Sequence, residues 1–182
     1  IYAEKNKRFH ELFNLTEGNS NPLKAHFGNQ LPTSLSIFMF QPYVQNLGTD
    51  EQLKKWMPRI ISMEVIGAYA QTELGHGSDV RSLETTATFD PQTDSFTINS
   101  PTLTSTKFWP GDLAVVANHI ICSAQLILNG ENKGVYGFIV PIRDTETHQV
   151  LPGIELGDLG EKVGFNTKDN GYCRFHNVKI PR

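Results

Sequence analysis

An α+β fold is predicted: part of a helical N-terminal domain over residues 1–66, then an antiparallel, barrel-like β domain over residues 67–182. Three observations lead there. Apolar residues recur at helical spacing as far as about residue 66 and then stop doing so. From Glu64 onward they alternate instead in short runs separated by polar turns. Where the two regimes meet, a Gly-rich polar stretch, Gln71 to Asp79, follows directly on a strand-like run.

Glu4 to Leu15 is built from charged helix formers with Phe9, Leu12 and Phe13 on one side, and reads as a helix. Asn14 to Pro32 is rich in Asn, Gly and Pro and reads as loop. Leu35 to Val44 is apolar and reads as a buried helix bent near Pro42, which lacks an N–H and crowds the preceding turn. Thr49 caps the next helix, with Gln52 in the capping-box position. Leu53, Trp56, Met57 and Ile60 then share one face. Pro58 is expected to end the regular part, leaving a separate turn around Ile60 to Ser62.

Strands are expected at Val65–Ala70, Glu84–Phe89, Ser95–Asn99, Leu113–Ala117, Ile120–Leu128, Val135–Pro141 and Tyr172–Ile180. The run Asp90-Pro91-Gln92-Thr93-Asp94 makes a hairpin of the second and third. Gly130 to Gly134 joins two more.

Composition narrows the function classes. With 38% apolar and 19% charged residues in 182, the chain can bury an ordinary core. A net charge of −3 shows no basic bias, so no nucleic-acid partner is expected, and Lys5, Lys7 and Arg8 read as a solvated helix face beside Glu4 and Glu11. No apolar run is long enough to cross a bilayer as a helix. Cys122 and Cys173 have no ligand-like spacing and read as buried, reduced thiols. The six histidines form no His-Glu-x-x-His pattern, so no metal is expected. His76, Ser78 and Asp79 lack the Gly-x-Ser-x-Gly turn of a hydrolase. The chain opens on Ile1 and stops at Arg182 just after a strand, and both ends read as cuts in a longer polypeptide. The last three residues are not a peroxisomal address.

Two segments carry the interesting chemistry. In the first, Gln71 offers an amide and Thr72 a hydroxyl, the paired donors and acceptors that a heteroaromatic ring with carbonyls requires. Gly75 and Gly77 permit close approach and unusual dihedrals, so N–H groups from Gly75 to Ser78 can face a phosphate-bearing tail. The same features suit a tight interstrand loop, and the residues leave both readings open. In the second segment, Lys107 to Gly111, Trp109 precedes Pro110 and is expected to be extended. Trp109 either stacks on a cofactor ring or serves as a strand-end core indole. Gly111 lets the chain turn under a flat group, and Lys107 reads as a solvated charge.

At these residues the sequence resembles the peroxisomal acyl-coenzyme A oxidases, a branch of the acyl-CoA dehydrogenase superfamily. The resemblance runs through Tyr69 to Asp79, Arg81 to Phe89, Asn99 to Thr102, Lys107 to Gly111, Asn118-His119, Phe138 to Arg143, Pro152 to Ile154 and Asp169 to Tyr172. It is good from about residue 31 to 182 and looser before that.

What it implies is a helical N-terminal domain, a middle β domain and C-terminal helical domains, of which this chain holds the end of the first and the whole second. It further implies FAD, with Thr72 and the Gly111 backbone contacting the flavin and Gln71 and Trp109 in its ring environment. Gly77 and Ser78 would border the acyl-CoA or cofactor-phosphate region. The implied reaction is α,β-dehydrogenation of a fatty acyl-CoA to the trans-2-enoyl-CoA, with oxygen reduced to hydrogen peroxide in the peroxisome.

The family's catalytic carboxylate belongs to the C-terminal helices, so no catalytic residue is expected here and Glu73 is a cofactor-loop residue. The missing C-terminal domains, or a partner chain, would complete the site, and the full-length enzyme would be a homodimer. The chain alone is expected to be inactive. The contrasting expectation is a non-catalytic structural or interaction protein that kept the β domain. Two departures from the family pattern stand out: Gly111-Asp112-Leu113-Ala114 replaces a Gly-Gly-Leu-Gly run, and Ser78-Asp79 looks more like the dehydrogenase branch.

Overall fold

The computed structural model describes residues 32–165 and 168–182. The helix expected over residues 4–15, and the expected loop over residues 14–32 up to Pro32, lie outside the described residues.

The helical part has two pieces. A π-helical turn, Ser36–Phe40, leads into helix α1, Gln41–Leu47. Pro42 cannot bond to the carbonyl of Phe38 and its ring crowds that group. The Gln41 N–H reaches back instead to the Ser36 carbonyl, so the expected bend takes the form of a widened turn. Helix α2, Asp50–Ile61, starts with the expected capping box: Gln52 N donates to Thr49 Oγ1 at 3.3 Å and Thr49 N to Gln52 Oε1 at 3.0 Å. Asp50 and Glu51 in the first turn and Arg59 in the last match the helix dipole. Contrary to expectation, α2 continues through Pro58 to Ile61. Both Pro58 and Lys54, whose carbonyl loses its partner, are exposed, so water can satisfy that carbonyl.

Among the described residues nine strands follow: β1 Gly67–Ala70, β2 Thr86–Asp90, β3 Ser95–Asn99, β4 Lys107–Gly111, β5 His119–Leu128, β6 Glu131–Pro141, β7 Ile154–Asp158, β8 Asn170–Phe175 and β9 Val178–Pro181. The larger sheet runs β1-β5-β2-β3-β9 with β6 also on β5, and the smaller runs β4-β8-β7. Together they make a curled half-barrel. The barrel-like β domain stands, but its larger sheet is mixed: β5 runs parallel to both β1 and β2 and antiparallel to β6.

That topology places the polar loop. β1 pairs with His119–Cys122 and β2 with Gln125–Ile127, so the two short strands lie end to end along β5. Residues 71–85 are the excursion that leaves this line and returns to it.

Three strand expectations change. Leu113–Ala117 is a turn rather than a strand, because the buried Arg143 guanidinium donates to the carbonyls of Leu113, Ala114 and Ala117 and holds them curled. Tyr172–Ile180 divides into β8 and β9 around His176-Asn177, where Asn177 has φ 53°. β4 and β7 are additional, and each owes its place to pairing with β8 rather than to its own alternation.

The main core lies between the two sheets and includes Ile98, Ile120, Phe138, Val140 and Phe175. A second cluster, Phe40, Val44, Ile60, Val65 and Ile121, docks the helices on the larger sheet. Gly67 is required there, since a Cβ would fall within the Phe40 ring. Cys122 and Cys173 are buried free thiols, as expected, and burial pushes the Cys122 thiol up to about 11. Neither is therefore a nucleophile near neutral pH.

Candidate functional site

The two segments singled out in the sequence meet because they are paired by backbone. Phe108 N donates to the Thr72 carbonyl at 3.0 Å and Leu74 N to the Thr106 carbonyl at 2.8 Å. Glu73 and Lys107 form an antiparallel bridge. Above this seam opens a cleft of about 740 Å³. Gln71, Thr72, Trp109 and Gly111 all line it, so four residues chosen from sequence come to one place. Gly77 and Ser78 do not line it; they are exposed on the outer part of the loop.

The walls suit a large flat ligand with polar edges. Leu35, Met39, Pro110, Leu159 and Phe165 supply apolar surface, while Gln71, Thr72, Lys162 and Asn170 supply polar groups. The Tyr69 hydroxyl donates to Gln71 Oε1 at 2.7 Å and orients that amide. Asn170 Nδ2 donates to the Trp109 carbonyl at 2.7 Å.

Trp109 itself is not extended. Its φ is 68°, and the β4–β8 register shifts between Phe108 and Gly111. A left-handed Trp before Pro is strained, and the bulge turns the indole outward, leaving it 63% exposed at the cleft. It is therefore not a core indole.

Gly111 is needed for packing beneath the cleft. A Cβ there would stand 2.7 Å from Leu35 Cδ1 and 3.1 Å from Lys168 Cε.

Asp112 also takes a left-handed φ, 64°, which explains how it occupies a position where the family pattern has glycine. Its carboxylate is fully buried, accepts from Leu35 N at 3.1 Å and pairs with Lys168. Burial raises its pKa to about 6, outweighing the attraction of Lys168. Lys168 Nζ also donates to Ser34 Oγ at 2.8 Å. This pair thus ties Ser34, Leu35 and Lys168 to the end of β4.

Lys107 is not the solvated charge that was expected. It is 0% exposed and ion-paired at 3.0 Å with Glu73, itself 2% exposed. Glu73 also accepts from Glu84 N, Thr85 N and Thr85 Oγ1, so its carboxyl oxygens are engaged within the protein.

The first half of the loop differs from an anion nest. The N–H groups of Glu73, Leu74, Gly75 and His76 all bond to carbonyls of the protein. Neither Gly75 nor Gly77 has a positive φ. Gly75 is needed for close approach, as a Cβ would lie 2.8 Å from Thr104 Cβ, whereas nothing lies within 4 Å of one at Gly77. Glu84 secures this part of the loop. Hydrogen bonds from Thr102, Thr104 and His76 hold its carboxyl down to about 2.

Sequence reasoning assigned no site role to Tyr69, Lys162, Lys168 or Asn170. Tyr69 and Asn170 sat within matching stretches, which was the available signal. Lys162 and Lys168 carried none, since only folding brings them beside Gly111 at the cleft. Among the described residues no group of three or more His, Cys, Asp or Glu side chains could hold a metal, and no helix is long and apolar enough to cross a membrane.

With mixed half-barrel and cleft in view, the chain belongs to the acyl-CoA oxidase/dehydrogenase family: residues 68–178 match the acyl-CoA dehydrogenase middle domain and residues 2–66 the acyl-coenzyme A oxidase N-terminal model. Among its relatives, peroxisomal acyl-coenzyme A oxidase 1 of Mus musculus is 51% identical over 160 residues, which is 87% of this chain and 24% of that protein. Arabidopsis thaliana acyl-CoA oxidase 1 superposes with a TM-score of 0.86 at 44% identity, covering 99% of this chain and 28% of that one. Acyl-CoA oxidase-1 of Caenorhabditis elegans, solved in complex with FAD and ATP, superposes at 0.81 with 44% identity, covering 83% and 23%. The chain thus spans about a quarter of the length of the relatives it matches.

Proposed function

We propose that this chain is the part of a peroxisomal, FAD-dependent acyl-CoA oxidase that forms one wall of its flavin site, acting on fatty acyl-CoA and oxygen. The observation that carries the reading is the convergence of Gln71, Thr72, Trp109 and Gly111 on one cleft of about 740 Å³, in a chain whose relatives are acyl-CoA oxidases. In this reading residues 1–66 end the helical domain and residues 67–182 form the middle domain, with further helical domains and a second copy completing the enzyme.

The cleft fits a flavin in chemistry. The exposed indole of Trp109 offers a flat face, and Thr72 and Gln71 offer a donor and acceptor set at the edge. FAD, when bound, accepts the β-hydrogen of the acyl chain as hydride and passes the electrons to oxygen, leaving trans-2-enoyl-CoA and hydrogen peroxide. The residues of this chain bind and orient. Thr72 would hydrogen-bond the ring edge and the Gly111 backbone would contact the ring, with Gln71 and Trp109 in its surroundings. Gly77 and Ser78, on the exposed outer part of the loop, would border the acyl-CoA or the cofactor-phosphate region. No residue of the chain is assigned to remove the α-proton.

The test is an absorbance spectrum of the intact natural protein, followed by acyl-CoA-dependent peroxide formation. A retained flavin with turnover is expected. Absence of flavin, or of peroxide from the flavin-loaded protein, refutes the proposal.

A further inference from the structure

Beneath the cleft, two ion-paired side chains join the polar loop to β4. Glu73 and Lys107 are 2% and 0% exposed. The Lys107 ammonium has three donors, and three acceptors surround it: Glu73 Oε1 at 3.0 Å, the Ser123 carbonyl at 2.6 Å and the Gln71 carbonyl at 3.2 Å. The Glu73 carboxylate is saturated in turn, by Glu84 N at 2.8 Å, Thr85 N at 2.9 Å and Thr85 Oγ1 at 2.6 Å.

Stability alone is a poor account of such a pair. An apolar pair of similar volume often holds a core as well or better, because it escapes the desolvation penalty of two charges. What an apolar pair cannot do is donate to the Gln71 carbonyl. That contact matters for the cleft, since Gln71 and Thr72 are its polar edge. The Thr72 carbonyl is held separately by Phe108 N. Ser123, the third acceptor, lies in β5, the central strand of the larger sheet. The ammonium therefore references the edge of the cleft to the central strand of the larger sheet.

We infer that Glu73 and Lys107 are positioning residues of the flavin site: Lys107 holds the Gln71-Thr72 backbone in register with β5, and Glu73 holds Lys107 there. The inference rests on the flavin reading above and adds to it which buried groups set the geometry of the polar edge. Gln71 and Thr72 meet the ligand; Glu73 and Lys107 act through them.

The test uses the intact natural protein with Glu73→Gln, Lys107→Met and the double variant. Three quantities are read: the thermal midpoint, FAD affinity, and hydrogen exchange across residues 71–76 and 107–109 without flavin. Each single variant leaves a buried group unmatched and lowers the midpoint. The double variant removes both charges and recovers most of that loss, while its FAD affinity stays down on the order of tenfold to a hundredfold, the scale of one charge-assisted hydrogen bond. Exchange in the two segments stays faster than in the parent.

Recovery of midpoint, affinity and exchange together in the double variant would show a purely structural pair and overturn the inference. Should a single variant not fold, the double variant against the parent decides on the same readings. A parent that takes up no FAD refutes the proposed function, and flavin-free exchange then decides separately: parent-like exchange in the double variant overturns the inference, and faster exchange sustains the positioning of the loop.

Discussion

Gly111→Ala tests the floor of the cleft with a single methyl. The new Cβ would lie 2.7 Å from Leu35 Cδ1 and 3.1 Å from Lys168 Cε. Comfortable carbon contacts lie at about 3.5–4.0 Å, so the neighbours must give way by roughly 1 Å. Leu35 has limited freedom, because its backbone N–H is held by Asp112. Lys168 has less, because its ammonium is tied to Asp112 and Ser34. Overpacking a well-filled site costs about 1–3 kcal/mol, which in a protein of this size or larger lowers the midpoint by about 2–4 °C per kcal/mol. The same displacement moves the Lys168 stem and the Gly111 backbone, so FAD affinity falls as well. Thermal unfolding with a flavin titration measures both. A Gly111→Ala protein with the parental midpoint and affinity would refute the packing described for this floor.

Other perturbations separate stability from site. Trp109→Gly removes a left-handed tryptophan, so the protein gains about 1–2 kcal/mol while losing FAD affinity through the missing indole; paired unfolding and flavin titrations check the opposite signs. Gly67→Ala drives a Cβ into the Phe40 ring and is expected to cost about 3 kcal/mol, the upper end of overpacking penalties, seen as a lowered unfolding midpoint. Asp112 has its folded pKa raised by burial to about 6 from an ordinary 3.8. Its contribution to stability is therefore fully present below about pH 4 and lost as pH rises through about 6, by a few kcal/mol at most at about 1.4 kcal/mol per pH unit. Unfolding free energies of the parent and of Asp112→Asn, compared from pH 4 to pH 7, give the sign: the parent's advantage shrinks as pH rises.

Much of this architecture could be read from local chemistry. The capping box at Thr49 and Gln52, the one-sided face of α2 and the hairpin of β2 and β3 depend on neighbours in the chain, and such signals survive in a linear string. The polar loop and the Lys107–Gly111 segment were legible through their residue types and as family motifs, and their shared cleft was expected from that. The sequence alone thus picked out Gln71, Thr72, Trp109 and Gly111, four of the residues that line the cleft.

How those residues are held was decided by contacts between distant positions. Lys107 reads as an ordinary surface cation until Glu73, 34 positions away, and the Ser123 carbonyl close around it. Leu113–Ala117 has the composition of a strand, yet three of its carbonyls bend toward Arg143. Trp109 before Pro110 should be extended, but pairing of β4 with β8 on either side of the bulge imposes a left-handed turn. Gly77 looks like part of a phosphate cradle, and the N–H groups of Gly75 and His76 just before it bond to the protein's own carbonyls. The physical reason is common to all four. A charge, an N–H or a backbone angle takes the state that its buried partners permit, and in this fold those partners come from strands far apart in the chain.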